Sequence, residues 1–368
     1  MYQALADKIR ASIRSGKHAH GAFVGSEHEL ARNFGVARMT LRRASTVLIN
    51  EGVIHRVPGK GLFVRAPEDV TRQIQVIAGN LNWETSMQVW RGVQSVARES
   101  GIEVQLYDAH GDTEYDLSIL RKLPHSQAQG AIIMAVHSSV FHEAVLLLKL
   151  KDFPFVLVDQ QADGVEVSSV VADNYAGGYA AGGELLKRGH RRIAFIGDLV
   201  AGTVRRRLDG LRDAFSDAGV PFDRTLVFDL QVQDPLGDWS AQVDESARRA
   251  MDRPLPPTAI FCSCDAVARP VYRALATLGQ RVPEDVSIIG FDDAPLAEML
   301  TPPLTTVRQP FFEIGKTAME TLCRQMSHPG GPVERHSLPV ELVMRNSVAE
   351  PIQPGGIVPP ERQSGSTR

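Results

Sequence analysis

Between residues 74 and 326, short apolar runs rich in Val and Ile alternate with stretches long enough for three or four helical turns. The strand-like runs are IQVIA (74–78), EVQLY (103–107), GAIIMA (130–135), PFVLV (154–158), RIAFIG (192–197), TAIFC (258–262) and VSIIGF (286–291). Helix-like stretches fall near 88–100, 113–123, 139–151, 175–189, 204–219, 241–252, 266–279 and 311–326. Strands that are apolar throughout, with no polar residue every second position, are those buried on both faces, so the pattern predicts an α/β body of parallel sheets covered by helices. So many units exceed one sheet, and open α/β sheets bind ligands at the carboxyl ends of their strands. The expected body is two-lobed, over residues 73–350, with a cleft where those ends meet.

Residues 1–66 follow a different pattern. Leu5, Ile9 and Ile13, flanked by Tyr2 and Ala6, make one apolar helical face that stops at Gly16. Ser26 precedes EHELARNF with Glu29 three residues on, the spacing of a capping box, and a second helix runs from there to Gly35. In ARMTLRRASTVLIN, Leu41, Ala44, Val47 and Leu48 form a buried stripe that ends at Gly52, while Arg38, Met39, Thr40, Arg42 and Arg43 lie opposite. VIHR (53–56) and LFVR (62–65), joined through Pro58, Gly59 and Gly61, read as a two-stranded wing. Charge divides at the same place. This segment holds eleven Lys and Arg against four Asp and Glu, a net +7, so within a chain of net −3 the remainder sums to −10. A basic small module on an acidic large one is the distribution of a nucleic-acid-binding head on a body that binds something else.

SEHELA, RMTLR and PGKGLFV, in order within residues 2–65, resemble the GntR family of regulators, whose heads are winged helix-turn-helix domains. The resemblance implies double-stranded operator DNA as partner. It places Ser26 and Glu27 at the DNA-facing end of the second helix, Arg38, Thr40, Arg42 and Arg43 on the helix that enters the major groove, and Gly59 and Lys60 at the minor groove. Arginines there can bond guanine O6 and N7 or grip phosphates. A solvated helix face is the alternative for each arginine taken alone. Two positions depart from the family: Gly25 stands where proline is usual, and Ala37 where a helix-capping serine is usual. The polar, proline-bearing stretch 67–72 is the expected linker.

The body resembles the effector domains of LacI/GalR regulators, which are similar to periplasmic sugar-binding proteins. The matching segments include VVADNYAGGYAAGGELLKRGHRRIAFIG (170–197), RRLDG (206–210), GDWSA (237–241), VSIIGFDD (286–293), PPLTTVRQP (302–310) and LPVELVMRNS (338–347). By that resemblance the chain crosses between lobes near 160, 307 and 336, and pairs as a homodimer through residues 73–160 with 310–330. It implies a small-molecule effector, a sugar by family habit, held by Asp292, Arg207, Trp239, Phe311 and Gln309, with Asn82, Trp83, His137, Asp159 and Cys264 on the same edge. Chemically, Asp292 can accept hydroxyl hydrogen bonds, Arg207 offers a planar donor fork, and Trp239 and Phe311 can stack on a ring. A core tryptophan, a capping aspartate and an ion-paired arginine are the alternatives at 239, 292 and 207. Cys264 replaces a usual asparagine and is a poor hydrogen-bonding group, and Arg269 and Pro270 stand where small residues are usual. The effector of a well-known sugar regulator therefore does not transfer, and a purine or other ring ligand stays open.

Other classes find little support. The N-terminal stretch carries Asp7, Lys8, Arg10 and Arg14 and lacks the apolar core of a signal peptide, and no run of about 18 residues is wholly apolar, so a cytoplasmic protein away from membranes is expected. Cys262, Cys264 and Cys323 lack the paired spacing of a zinc site, and no metal or cofactor is implied. The chain has no G-x-S-x-G elbow or H-E-x-x-H, so an enzyme is not expected. AGGYAAGG (176–183) lacks the Lys-Ser/Thr of a phosphate loop, and its small residues suit close helix packing instead. The tail, 351–368, is rich in Pro, Gly and polar residues and is expected to lack fixed structure. The whole reads as a ligand-controlled transcription repressor.

Overall fold

Apolar spacing in the first unit resolves into α1 (Tyr2–Arg14), β1 (Phe23–Gly25), α2 (Glu27–Asn33), α3 (Arg38–Asn50), β2 (Ile54–Val57) and β3 (Gly61–Val64). The structure, a computed structural model, describes residues 2–352 except 15–17, 20, 51, 58, 66–71, 80, 82–83, 109–111, 135–137, 163, 232–238 and 329. Almost all of the expected linker and tail lie outside the described residues. Leu5, Ala6 and Ile9 of α1, Leu30 and Ala31 of α2, Leu41, Ala44 and Leu48 of α3, and Ile54 and Leu62 of the wing meet in one core. Each fully buried Leu or Ile there contributes about 1.5–3 kcal/mol.

The wing has one strand more than expected. β1 pairs antiparallel with β3, giving the order β1-β3-β2. Gly25, which ends β1, has φ of 148°, and a Cβ there would lie 2.8 Å from Leu30 Cγ. Proline, locked near −65°, cannot take that backbone, so the departure at 25 is a requirement of this chain's geometry. At the start of α3 the Ala37 carbonyl accepts from the Thr40 and Leu41 N–H groups at 2.9 and 3.1 Å, but alanine brings no side-chain cap.

The second unit begins within β4 (Arg72–Ala78): residues 1–73 with 101–103 form one compact unit and the remainder the other. It continues through α4 (Glu84–Glu99), β5 (Ile102–Asp108), α5 (Thr113–Lys122), β6 (Gly130–Met134), α6 (Ser138–Leu150), β7 (Phe155–Val158) and β8 (Ser169–Ala172). Then come α7 (Asn174–Lys187), β9 (Ile193–Gly197), α8 (Gly202–Asp217), β10 (Val227–Asp229), α9 (Ser240–Met251), β11 (Ala259–Cys262), α10 (Asp265–Thr277) and β12 (Ser287–Ile289). The last elements are α11 (Leu296–Met299), β13 (Thr306–Arg308), α12 (Phe311–Ser327), β14 (Arg335–Leu338) and β15 (Glu341–Val343).

The first lobe is a sheet ordered β14-β8-β7-β6-β4-β5, and the second a sheet ordered β10-β9-β11-β12 whose pairs are all parallel. In the second lobe α9 and α10 bury one face and α7 and α8 the other. The α7–α8 contact is close: a Cβ on Gly178 would sit 2.0 Å from the Arg207 carbonyl and one on Gly210 2.1 Å from that of Tyr175. Within AGGYAAGG, Gly178 and Gly182 thus serve the packing of α7 on α8, Gly177 makes room for Phe291, and Gly183 faces open space.

The first crossing between lobes differs from expectation. After β7 the chain does not leave. It loops back as β8, pairing Leu157 with Ser169 and Val158 with Val170, and only then crosses, between Ala172 and Asn174. β14 lies beside β8 in the same sheet, and no helix separates β7 from β8, which is why strand–helix alternation placed this crossing too early, near 160. The other two crossings, at 308–311 and 338–341, fall close to the expected 307 and 336. α12 packs on α4, β6, β7 and β8, so 311–327 belongs to the first lobe.

Candidate functional site

Two surfaces carry the residues singled out in the sequence. On the head, Ser26 and Glu29 complete the capping box: the Glu29 N–H donates to Ser26 Oγ at 3.2 Å and the Ser26 N–H to Glu29 Oε2 at 3.0 Å. That second bond holds the Glu29 carboxyl below its usual range. Glu27 pairs with Arg56 of β2, tying α2 to the wing. Ser26 and Glu27 therefore both have structural partners.

Arg38, Arg42 and Arg43 are exposed along α3, Thr40 is half-buried, and Met39 is 62% exposed. Gly59, at φ 75°, and Lys60 form the exposed tip between β2 and β3, where the Lys60 N–H donates to the Val57 carbonyl at 3.0 Å. Among the described residues no carboxylate pairs with Arg38, Arg42, Arg43 or Lys60. Four unneutralised cations on one small unit make an anion-seeking face. Met39, expected on the same face of α3 as these arginines, is an apolar side chain exposed beside them.

In the second unit, Asp292 follows β12 and Arg207 reaches it from α8. Arg207 is 4% exposed. Its Nε donates to Asn174 Oδ1 at 2.7 Å and its Nη1 to the Ser263 carbonyl. Nη1 lies 3.8 Å from Asp292 Oδ1, and Cζ stands 3.8 Å from the centre of the Phe291 ring. Gln309 Nε2 donates to Asp292 Oδ1 at 2.6 Å, while buried Gln309 Oε1 has no hydrogen-bond partner among the described residues. Burial raises the Asp292 carboxyl above the ordinary carboxylate range, with Arg207 pulling the other way.

The Asp292 backbone is strained. Its φ of 119° is a region that side-chain-bearing residues rarely adopt, and Asp293 follows at 55°. Such conformations cost about 1–3 kcal/mol each and persist only where surrounding bonds hold them. Here the Asp292 N–H donates to the Val307 carbonyl at 2.7 Å.

The other expected cleft residues are placed unevenly. Asp159, at the end of β7 with φ 55°, is open to solvent on one side; the protein mass around it still raises its carboxyl, and Arg207 acts on it in the opposite sense. Asp159, Arg207 and Asp292 thus share one electrostatic neighbourhood drawn from both lobes. Cys264 occupies the cap position of α10 without a side-chain bond, and burial pushes its thiol up to about 12. Trp239, at the start of α9, is half-buried against the core of the second lobe, and Phe311, at the start of α12, is 6% exposed. Asn82, Trp83 and His137 lie outside the described residues.

Two residues were missed. Asn174 positions Arg207, and its Nδ2 donates to the Ala172 carbonyl at 2.9 Å, at the first crossing. Asp265, fully buried, accepts from Thr306 Oγ1 at 2.6 Å and the Ala294 N–H at 2.8 Å. A cavity of about 660 Å³ opens beside this group, between the starts of α7 and α8, with Gln161, Ala172, Asn174, Tyr175, Thr203 and Arg206 among its walls. Among the described residues, none of the effector positions expected from the sequence lines it.

Comparison with known proteins divides the chain in the same way. Residues 1–64 match the family described as bacterial regulatory proteins, gntR family, and residues 183–348 match the periplasmic binding protein-like domain. The HTH-type transcriptional regulator DegA of Bacillus subtilis is 31% identical over 281 residues, 76% of this chain and 81% of that one. The arabinose metabolism transcriptional repressor of Geobacillus stearothermophilus is 29% identical over 365 residues, 95% of this chain and 98% of its own. Among solved structures, a LacI family transcriptional regulator from Enterococcus faecium with bound ribose shares 27% identity, covers 76% of this chain and 99% of its own, and superposes with a TM-score of 0.64.

Proposed function

Because the chain belongs to the LacI family of transcriptional regulators and carries a gntR-type head, we propose that it is a dimeric repressor whose operator affinity is set by a sugar bound between Asp292, Arg207 and Asp159. The relatives named are regulators of transcription rather than enzymes. Among the described residues no helix is long and apolar enough to cross a membrane.

The observation that carries the sugar reading is the Asp292–Gln309 pair. Asp292 Oδ1 is already engaged by Gln309 Nε2, and the buried Gln309 Oε1 lacks a donor. An unpaired buried acceptor costs about 1–3 kcal/mol, so the pair is maintained at a cost to the fold, and the Asp292 side chain, 18% exposed, is the member that a ligand hydroxyl can reach. Arg207 keeps the charge balanced, and Trp239 and Phe311 supply flat apolar surface. The ribose-bound regulator from Enterococcus faecium lends a chemical precedent. Cys264, an uncharged thiol, brings little to a polyol, so selectivity rests on the carboxylates and Arg207.

For DNA, Arg38, Thr40 and Arg42 read base edges in the major groove, Arg43 grips phosphate, and Gly59 and Lys60 approach the minor groove. The exposed, unpaired arginines of α3 support this assignment. Ser26 and Glu27 set the pose of α2, with the Ser26 backbone end nearest phosphate. A two-fold dimer matches two half-sites, and sugar-driven movement of the lobes changes the spacing of the heads.

The test uses the full chain and a duplex selected from a random library, with binding followed by fluorescence anisotropy against D-ribose, L-arabinose, cellobiose and hypoxanthine. Release from the duplex by one sugar, with a matching rise in melting temperature, is the expected result. Response to hypoxanthine with all three sugars silent would replace the sugar by a nucleobase.

A further inference from the structure

Asp292 and Asp293 are adjacent carboxylates with separate partners. Asp292 faces Gln309 and Arg207. Asp293 instead accepts from Arg308 Nε through Oδ2 and from Arg345 Nη2 through Oδ1, both at 2.7 Å, with its side chain 9% exposed. Charge-assisted bonds of this length are the strong ones; the Arg345 bond is the shielded one, its side chain 12% exposed, while the Arg308 side chain is 50% exposed and solvent screens its bond.

The two arginines stand at different mechanical positions. Arg345 is fixed inside the second lobe: its Nη1 donates to the Leu304 carbonyl at 3.0 Å and its N–H to Thr305 Oγ1 at 2.9 Å. Arg308 is the last residue of β13, where the chain leaves that lobe. Its Nη1 also donates to Glu341 Oε2 at 3.0 Å, and Glu341 opens β15, where the chain comes back. Arg308 and Glu341 face each other in the β13–β15 register. The ionic chain Arg345–Asp293–Arg308–Glu341 therefore joins the strained turn of the cleft to two of the segments that cross between lobes.

The strain gives the chain something to hold. With both aspartates at positive φ, a turn freed of its bonds relaxes to ordinary backbone and carries the Asp292 carboxyl off Gln309. Asp292 is also bonded to the departing strand itself, through Val307 and through the Gln309 N–H, which donates to its carbonyl at 3.4 Å. Movement of either crossing is thus felt at Asp292, and occupancy of Asp292 is felt at the crossings.

We propose that Asp293 is the positioning residue that couples the effector cleft to lobe movement, by holding Asp292 in its ligand-accepting pose and tying that pose to the crossings at 308–311 and 338–341. The proposal rests on the reading of Asp292 as an effector acceptor.

Hydrogen exchange on the full chain, without sugar, compares the wild type with D293N, R308Q and R308K. In D293N and R308Q the amides of 308–309, 311, 338 and 340–341 exchange about tenfold faster, while those of β9 and β11 keep wild-type rates; R308K, which keeps the charge, stays near wild type. R308Q leaves the Asp293–Arg345 pair in place and carries the comparison if D293N unfolds. Faster exchange confined to 292–294, or spread evenly through the second lobe, overturns the proposal. A second arm measures the factor by which D-ribose or L-arabinose changes operator affinity. Couplings of this kind are about 5–150-fold, and in D293N the factor is expected within about twofold of unity; a wild-type factor in D293N overturns the proposal. A wild type silent to both sugars refutes the sugar reading instead, and the exchange rates then decide the role of Asp293.

Discussion

Replacing Arg207 by methionine keeps the unbranched stem and removes the guanidinium, and the structure sets the size of the loss. Two hydrogen bonds from a charged donor disappear, to Asn174 Oδ1 and the Ser263 carbonyl. At about 1.5–3 kcal/mol each the gross loss is about 3–6 kcal/mol, reduced because a buried guanidinium no longer has to be desolvated. A net destabilisation of about 2–4 kcal/mol at neutral pH is expected. The penalty depends on pH through Asp292. Its folded-state carboxyl already titrates above the ordinary range, so its neutral form contributes stability that is present below about pH 4 and lost as pH rises through the raised value. Arg207 opposes that rise, and its removal drives the carboxyl higher still. The variant should therefore lose least near pH 5, where Asp292 is neutral with or without Arg207, and most near pH 8, where the wild type gains the Arg207–Asp292 attraction. Urea unfolding of both proteins at pH 5 and pH 8, followed by tryptophan fluorescence and circular dichroism, measures the difference. A penalty below about 1 kcal/mol, or one equal at the two pH values, would refute the reasoning.

Other positions offer independent checks. Asp116 is 1% exposed, its Oδ1 has no partner among the described residues, and burial, with Asp108 and Asp112 nearby, raises its carboxyl to about 7. Its contribution is therefore present below about pH 4 and lost as pH climbs through 7, and Asp116→Asn should gain about 1–3 kcal/mol at pH 8 and nothing at pH 4, read by thermal unfolding. Gly25→Ala forces a Cβ against Leu30 at positive φ and should cost the head about 1–3 kcal/mol, visible as faster hydrogen exchange in α2; unchanged protection there would show that β1 can shift. Lys60→Ala should lower the slope of log operator affinity against log salt by about 0.9 with little change in sequence preference, whereas Arg42→Ala should cost about 1–3 kcal/mol and relax the choice of one base pair. Equal effects of Lys60→Ala and Arg42→Ala on preference would undo the division of labour on the head.

What the sequence alone reveals follows from how much of each signal is local. Strands β4, β6, β7, β9 and β11 are four- to seven-residue runs buried on both faces, so their composition alone marks them. β14, with RHSL at a sheet edge and alternating exposure, carries no such mark, and β8 escapes because it follows β7 without an intervening helix. These two strands form the hinge-side edge of the first lobe, so the same blind spot also misplaced the first crossing. The site shows a similar division. Arg207 and Asp292 could be named from a family pattern, but their partners are 33 residues apart in one case and 17 in the other, and Asn174 and Gln309 acquire meaning only through those contacts. Asp293 and Asp265 illustrate the limit more sharply. In the sequence both are one of a pair of polar residues after a strand, and composition cannot tell a carboxylate that faces a ligand from one that holds the backbone behind it. That difference resides in the partners supplied by Arg308, Arg345 and Thr306, all of which arrive from later parts of the chain. A chain can therefore declare its architecture through local burial patterns while the control of its cleft depends on ion pairs between distant segments, and substitutions at those pairs should alter the response to ligand more than they alter the fold.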